Sequence, residues 1–367
     1  MREEIVIVPT HEAEIYVEDT GPEDAPVLVV LHGGPGGSSY PYRAAWEEEL
    51  ADYRVVYLDQ RGGGRSPELP LEPRYFTVDA LVDDLEAVRS WLAVDRWIPV
   101  GHGFGALAAL EYGRRYPELV RGVVALGPWI HFPELARALW RAAFGGGEPP
   151  ADPTQAVEEA FSAVGPKPLF DRLSFPSEHG RAHLEWIVEG LPLAGSEGVE
   201  AAFRTNGLWE LDYSGHLLEY PLEVVVIAGE RDGTSHPHQT ERLADLTGAR
   251  LELIPRAGHY PWIDEPEAFF RAFYGAGNQL QPCSNQVGEA FGLVRVAGAV
   301  ELAGDHHDLQ RVLEQVAAVV QLPEAVGAER RLHAFAAGER QPLDDPLQVG
   351  AAVHGGEAEP VEERLGT

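Results

Sequence analysis

Three short segments of this sequence carry residue types that could together cleave an acyl bond. Gly101-His102-Gly103-Phe104-Gly105 separates the apolar run Trp97 to Val100 from an alanine-rich stretch. Glycines flanking a central residue suit a tight strand-to-helix turn that thrusts that residue toward a substrate in a strained conformation, and its usual occupant is a nucleophilic serine. Gly103 has no side chain, so no hydroxyl can form an acyl intermediate there. Glycine also takes positive φ without steric cost, which relieves strain at such a turn. The Phe104 amide, at the N-terminus of the following helix, remains available to a developing oxyanion. His102 is adjacent, but neighbours of the central residue in such a turn point away from the site, which argues against it as a substitute nucleophile. His32-Gly33-Gly34-Pro35-Gly36-Gly37 follows a second apolar run; without Cβ atoms its backbone can approach a substrate closely and present amides. It lacks the GxGxxG and Walker spacings of phosphate loops. Ala257-Gly258-His259-Tyr260 comes after a third run and offers His259 as a general base.

These segments need a scaffold that delivers them to one place. Ile5 to Val8 and Glu14 to Glu18, followed by the turn signal Asp19-Thr20-Gly21-Pro22, read as an antiparallel pair. Val27 to Leu31, Arg54 to Leu58, Trp97 to Val100 and Val120 to Leu126 are short apolar runs separated by helical periodicity at Val78 to Leu92 and Ala106 to Tyr116. That alternation predicts an α/β fold with a mostly parallel central sheet covered on both faces. From Trp129 to Gly215 strand signals vanish, and helical pieces are broken by Pro and Gly, which predicts an inserted helical cap. Strand patterning resumes at Glu223 to Ala228 and Arg250 to Ile254, with a helix after Pro266. The expected boundaries are residues 1–128 and 216–275 for the core, 129–215 for the cap and 276–367 for a tail.

Asp59-Gln60-Arg61-Gly62-Gly63-Gly64-Arg65-Ser66 follows the strand at Arg54 to Leu58. Together with the 32–37 loop, this segment resembles the proline iminopeptidase branch of the α/β-hydrolases, over roughly residues 5 to 272. The resemblance implies an α/β-hydrolase fold in which Gly103 stands at the nucleophile position. It implies the triad acid at Asp232, within Gly229-Glu230-Arg231-Asp232-Gly233-Thr234, and the triad base at His259. Gly34 and Phe104 are implied as the oxyanion-hole amides. The order of turn, acid and histidine along the chain is that of the fold. Asp59 and Arg61 read as braces between neighbouring loops.

Proline iminopeptidases release N-terminal proline, so the resemblance also implies a small apolar pocket under the cap, with carboxylates gripping the free amine. Trp186, Phe203, Trp209 and Tyr213 either line that pocket or form ordinary cap core. Glu200, Glu210 and Glu230 are candidates for the amine grip. Where the family tends to show an acidic residue near Asn-His-Tyr-Phe in the cap, this chain has Phe203-Arg204-Thr205-Asn206-Gly207-Leu208-Trp209, a departure from the prolyl pattern. Three functions stand: a hydrolase of prolyl or related small amides and esters, with reduced activity or a water nucleophile; a non-catalytic small-molecule or peptide-binding pseudoenzyme; and a cofactor-free lyase using His259 as acid and base. None requires a cofactor.

Composition narrows the partners. A formal charge of −31 repels phosphate backbones and acidic membrane surfaces, which argues against nucleic acid. The acidic opening MREEIVIVPT lacks a secretory pattern, and no apolar run approaches the roughly 18 residues of a membrane helix. A cytoplasmic location is expected. Cys283, the lone cysteine, excludes an internal disulfide or a thiolate zinc site. Beyond Tyr274 there is no Trp or Tyr and only two Phe, so the tail is expected to pack weakly or form a separate segment, in which Asp308 to Val320 could form one amphipathic helix. His306-His307-Asp308 is too compact to surround a metal ion.

Overall fold

A computed structural model of the chain describes residues 2–189 and 196–280. The expectations for residues 281–367, including Cys283, His306 to Asp308 and the helix at Asp308 to Val320, lie outside the described residues.

Eight strands form one sheet: β1 (Arg2–Pro9), β2 (Glu14–Gly21), β3 (Val27–Leu31), β4 (Arg54–Asp59), β5 (Ile98–His102), β6 (Val123–Leu126), β7 (Val224–Gly229) and β8 (Arg250–Ile254). Their spatial order is β1-β2-β4-β3-β5-β6-β7-β8. β1 and β2 are antiparallel, as are β2 and β4; every later pairing is parallel. This is the mostly parallel sheet of the expected fold class.

Every residue of β3, β4, β5, β6 and β7 is buried, which explains runs of apolar residues without polar alternation. The two-residue period is still visible in which core each side chain joins. Val27, Val29 and Leu31 of β3 pack on one face, with Val56, Leu58, Val123 and Ala125. Leu28 and Val30 pack on the other, with Val55, Tyr57, Val124 and Leu126.

Helices cover both faces: α1 (Tyr40–Trp46), α2 (Val78–Trp91) and α3 (Phe104–Arg115) precede an insert between β6 and β7. The insert comprises α4 (Phe132–Phe144), α5 (Pro153–Val164), α6 (Pro166–Ser174), α7 (Glu178–Val188) and α8 (Ser196–Thr205). α9 (Pro237–Thr247), α10 (Pro261–Asp264) and α11 (Pro266–Leu280) complete the fold. Local chemistry sets several helix starts. The Thr77 side chain accepts the Ala80 amide at 3.1 Å to open α2, and Asp152 accepts the Thr154 amide at 2.9 Å before Pro153 opens α5.

Two expected boundaries shift. β6 begins at Val123 rather than Val120, because Pro117–Leu119 forms a 3-10 turn and Val120 makes only an isolated bridge to Trp97. The last helix runs to Leu280 rather than closing near Tyr274, since Phe269, Phe273, Ala276 and Leu280 all bury against the sheet. Among the described residues no helix is long and apolar enough to cross a membrane.

Candidate active site

The site gathers at the carboxyl ends of β3, β5, β6, β7 and β8, on either side of the point where the order of strands reverses direction. Gly103 links β5 directly to α3 with φ 53° and ψ −113°. That backbone state strains any residue bearing a Cβ, and glycine holds it freely. Hydrogen bonds fix the turn: the Gly103 amide donates to Leu126 O at 2.9 Å, and Gly103 O accepts the Trp129 amide at 3.1 Å.

His259 arrives from the loop after β8 and is only 3% exposed. Its Nδ1 lies 2.7 Å from Asp232 Oδ2 and 3.0 Å from Thr234 Oγ1. Asp232 is equally enclosed. Its Oδ1 accepts the Thr234 hydroxyl at 2.7 Å and the amides of Thr234 and Ser235 at 2.8 and 2.9 Å. Burial pushes the Asp232 carboxyl up, but the His259 charge and hydrogen bond, with the Ser235 amide and Thr234, outweigh it and hold the pKa below the usual carboxylate range. In the neutral ring, donating Nδ1–H to Asp232 leaves the Nε2 lone pair free, and that atom faces Gly103: a Cβ built on Gly103 would stand 3.0 Å from it.

Trp129 completes the pair's surroundings. Its ring stacks on His259 at 5.4 Å and 14°, and its indole N–H lies 3.3 Å from Thr234 Oγ1. Gly127 forms the floor. With φ +45°, it would place a Cβ 2.9 Å from His259 Nδ1 and 3.0 Å from Asp232 Oδ2, so only glycine fits. The insert reaches the same loops. Leu173 O and Ser174 O, at the end of α6, accept the Gly233 amide at 2.9 Å and the His259 amide at 2.8 Å.

The loop 32–37 is braced from below. His32 is fully buried; its Nε2 accepts the Gln60 amide at 2.9 Å, so Nδ1 carries the proton and donates to Gly33 O at 2.6 Å. Burial lowers the His32 pKa despite the opposing charge of Asp59. Asp59 takes the Ser39 amide at 2.6 Å, the Ser39 hydroxyl at 2.7 Å, the Arg65 amide at 2.7 Å and Arg65 Nε at 2.8 Å. Arg61 pairs with Asp84 through two hydrogen bonds of 2.6 and 2.8 Å. Asp59 and Arg61 are therefore braces, with no side-chain atom left over for a ligand role. Among the described residues no cluster of histidine, cysteine and carboxylate groups could hold a metal ion.

Residues 26–266 match the family of the alpha/beta hydrolase fold. The chain belongs to that family. Within it, the chain is similar to the crystal structure of a proline iminopeptidase-related protein from Thermus thermophilus. The two are 50% identical with a TM-score of 0.73, over 76% of this chain and 99% of that one. That likeness puts the chain in the proline iminopeptidase-related branch. The proline iminopeptidase of Mycobacterium smegmatis shares the fold at 23% identity and a TM-score of 0.57, over 76% of this chain and 98% of that one. Among curated proteins, the proline iminopeptidase of Neisseria meningitidis serogroup A is 35% identical over 134 residues, which are 36% of this chain and 42% of that enzyme. The chain thus spans less than half the length of that curated relative.

The remaining expected site residues divide. Phe203 of α8 packs on Phe104 at 5.0 Å and Phe76 at 5.8 Å, directly beside the turn. Trp209 lies one layer further out, against Phe132 at 6.0 Å, with its N–H donated to Glu200 at 3.0 Å. Burial raises the Glu200 pKa, opposed by that hydrogen bond. The other four face elsewhere. Trp186 is 71% exposed and borders an outer hollow with Tyr40, His183, Trp262 and Phe270. Tyr213 donates to Glu111 at 2.5 Å, two turns along α3 from Gly103. Glu210 is exposed and accepts the Thr154 hydroxyl, and Glu230 is exposed and accepts the Arg256 amide at 3.3 Å. Reading the sequence missed Trp129, Gly127 and Thr234. Their one signal is position, each standing within five residues after the end of a strand.

Proposed function

We propose that this hydrolase cleaves a small amide or ester, of the N-terminal prolyl or a related kind, without a serine nucleophile, Gly103 standing where that serine would be. The observation that carries the reading is His259, held by Asp232 at 2.7 Å, with Nε2 directed at the bare α-carbon of Gly103. Water seated over Gly103 would give its proton to Nε2 as its oxygen attacks the substrate carbonyl. The amides of Gly34 and Phe104 are proposed to receive the oxyanion, and the proton then passes from Nε2 to the leaving amine or alcohol. The aromatic surroundings of the turn, Trp129, Phe104, Phe132 and Phe203, suit a small apolar acyl group.

The test is release of aryl amine from prolyl arylamide and of phenol from short-chain aryl esters, over long incubation, with His259→Ala as control. A slow rate that the control abolishes is expected; equal rates in both proteins would refute general-base hydrolysis. The missing side chain at Gly103 favours one second reading, a binding protein without turnover. It would show a ligand-dependent rise in melting temperature with no product.

A further inference from the structure

We propose that His102 is a positioning residue that sets the separation between the 32–37 loop and His259, acting through Tyr42 on one side and the main chain of His259 on the other. The inference rests on the hydrolytic reading of His259 given above.

Each proton along this path has one place. The Gly33 amide donates to the Tyr42 oxygen at 2.9 Å, so the Tyr42 hydroxyl is free to donate, and it lies 2.6 Å from His102 Nδ1. On the opposite edge of the ring, His102 Nε2 lies 2.9 Å from His259 O, a carbonyl that can only accept. His102 must therefore carry its proton on Nε2 and accept on Nδ1, which makes it the neutral tautomer with both nitrogens used. Burial holds its pKa well below the usual imidazole value, and the neighbouring His259 lowers it further. The path thus runs in one direction from the glycine loop to the histidine loop, through three hydrogen bonds.

The packing allows little slack. His102 is 1% exposed. Its ring sits 4.1 Å from His259, 4.9 Å from Trp262, 5.1 Å from Tyr260 and 5.7 Å from Tyr42. On the loop side, a Cβ on Gly33 would come within 3.1 Å of His102 Nδ1. An apolar side chain could fill this volume, but it could not join two backbone segments. Since the following residue is Gly103, the side chain before the turn governs where the two sides of the site stand relative to that turn.

Tyr42→Phe removes one hydroxyl and leaves the packing; among the described residues the ring neighbours of Tyr42 are Trp46, His102 and Trp262. In 15N-labelled protein, this change is expected to move both the Gly33 amide and the His259 imidazole resonances. A moved Gly33 amide with an unmoved His259 would overturn the proposal. The catalytic consequence is read in a Gly103→Ser background, where adding Tyr42→Phe should lower kcat about 10-fold at unchanged KM, the penalty of a misplaced group. His102→Gln, which can still donate to His259 O, should recover part of the rate that His102→Ala loses; equal losses would reduce His102 to a filler. If neither the parent nor Gly103→Ser turns over any substrate, the hydrolytic reading falls, and the resonance shifts still decide the link.

Discussion

His259 Nε2 lies 3.0 Å from the point where a Cβ on Gly103 would stand, closer than side-chain atoms ordinarily approach. The imidazole edge occupies the space that a side chain at Gly103 would need. Gly103→Ser is therefore expected to make the ring retreat by a few tenths of an ångström and to acquire a hydroxyl within its reach. Ester turnover should rise about 100-fold or more, since a serine and its histidine act as a unit. The strained backbone should meanwhile cost about 1–3 kcal/mol. Rate assays and thermal unfolding of the same preparation check both; a serine variant no faster than its parent would remove Gly103 from the chemistry.

Asp232→Asn should abolish base function while preserving shape. The new amide faces an N–H toward His259 Nδ1, which forces the proton onto Nε2, where the base is needed. In the Gly103→Ser background a drop of about 10⁴ in kcat is expected, as in the serine-protease template. The acid limb of stability should change too. A carboxyl held below its unfolded value of about 3.9 stabilises the fold fully above that pH and loses the contribution as pH falls through the folded value. The parent should therefore lose more stability below about pH 4 than the asparagine variant does. Parallel acid-unfolding curves would contradict this.

Gly127→Ala tests the floor of the pair. A methyl group 2.9 Å from His259 Nδ1 and 3.0 Å from Asp232 Oδ2 must push them apart, at a φ that adds strain of about 1–3 kcal/mol. The melting temperature should fall, and the downfield Nδ1 proton of His259 should move upfield as its hydrogen bond lengthens. An unchanged proton resonance would mean that the floor yields instead.

Glu111 offers a second pH readout, remote from the chemistry. Despite the opposing effect of burial, hydrogen bonds from Arg114 and Tyr213 hold its pKa at about 2. Its contribution is full above about pH 4.5 and lost as pH falls toward 2. Because Arg114 is 40% exposed and its charge is screened, Glu111→Gln should cost only about 1–2 kcal/mol near neutrality. The difference between parent and variant should shrink to nothing in strong acid. A difference that persisted there would exclude the ionised carboxylate as its source.

Much of the scaffold was legible because burial on both faces leaves a strong mark. β3, β4 and β7 read directly as apolar runs, and Gly103 stood out because the turn from β5 to α3 demands a particular spacing. The insert was legible only as helical. Whether an aromatic residue there faces Gly103, as Phe203 does by packing on Phe104, or turns away, as Tyr213 does to meet Glu111, depends on partners roughly 100 residues distant in sequence. Trp186 illustrates the limit: aromatic content marks a core-forming side chain, yet α7 presents this one to solvent. His102 was legible only by its place beside the turn, because its two hydrogen bonds reach 60 and 157 residues along the chain and leave no local pattern.

The carbonyls of Leu173 and Ser174 at the end of α6 tie the insert to two loops of the site. They act as a buttress, so the loops carrying Asp232 and His259 derive part of their shape from a segment outside the sheet. Grafting a foreign insert onto this sheet would need to reproduce those two carbonyls before it reproduced any contact with substrate. A ligand that wedged α6 outward would likewise slacken the Asp232–His259 pair without touching either side chain. In this architecture, moving α6 and moving the loops that carry Asp232 and His259 are one mechanical act.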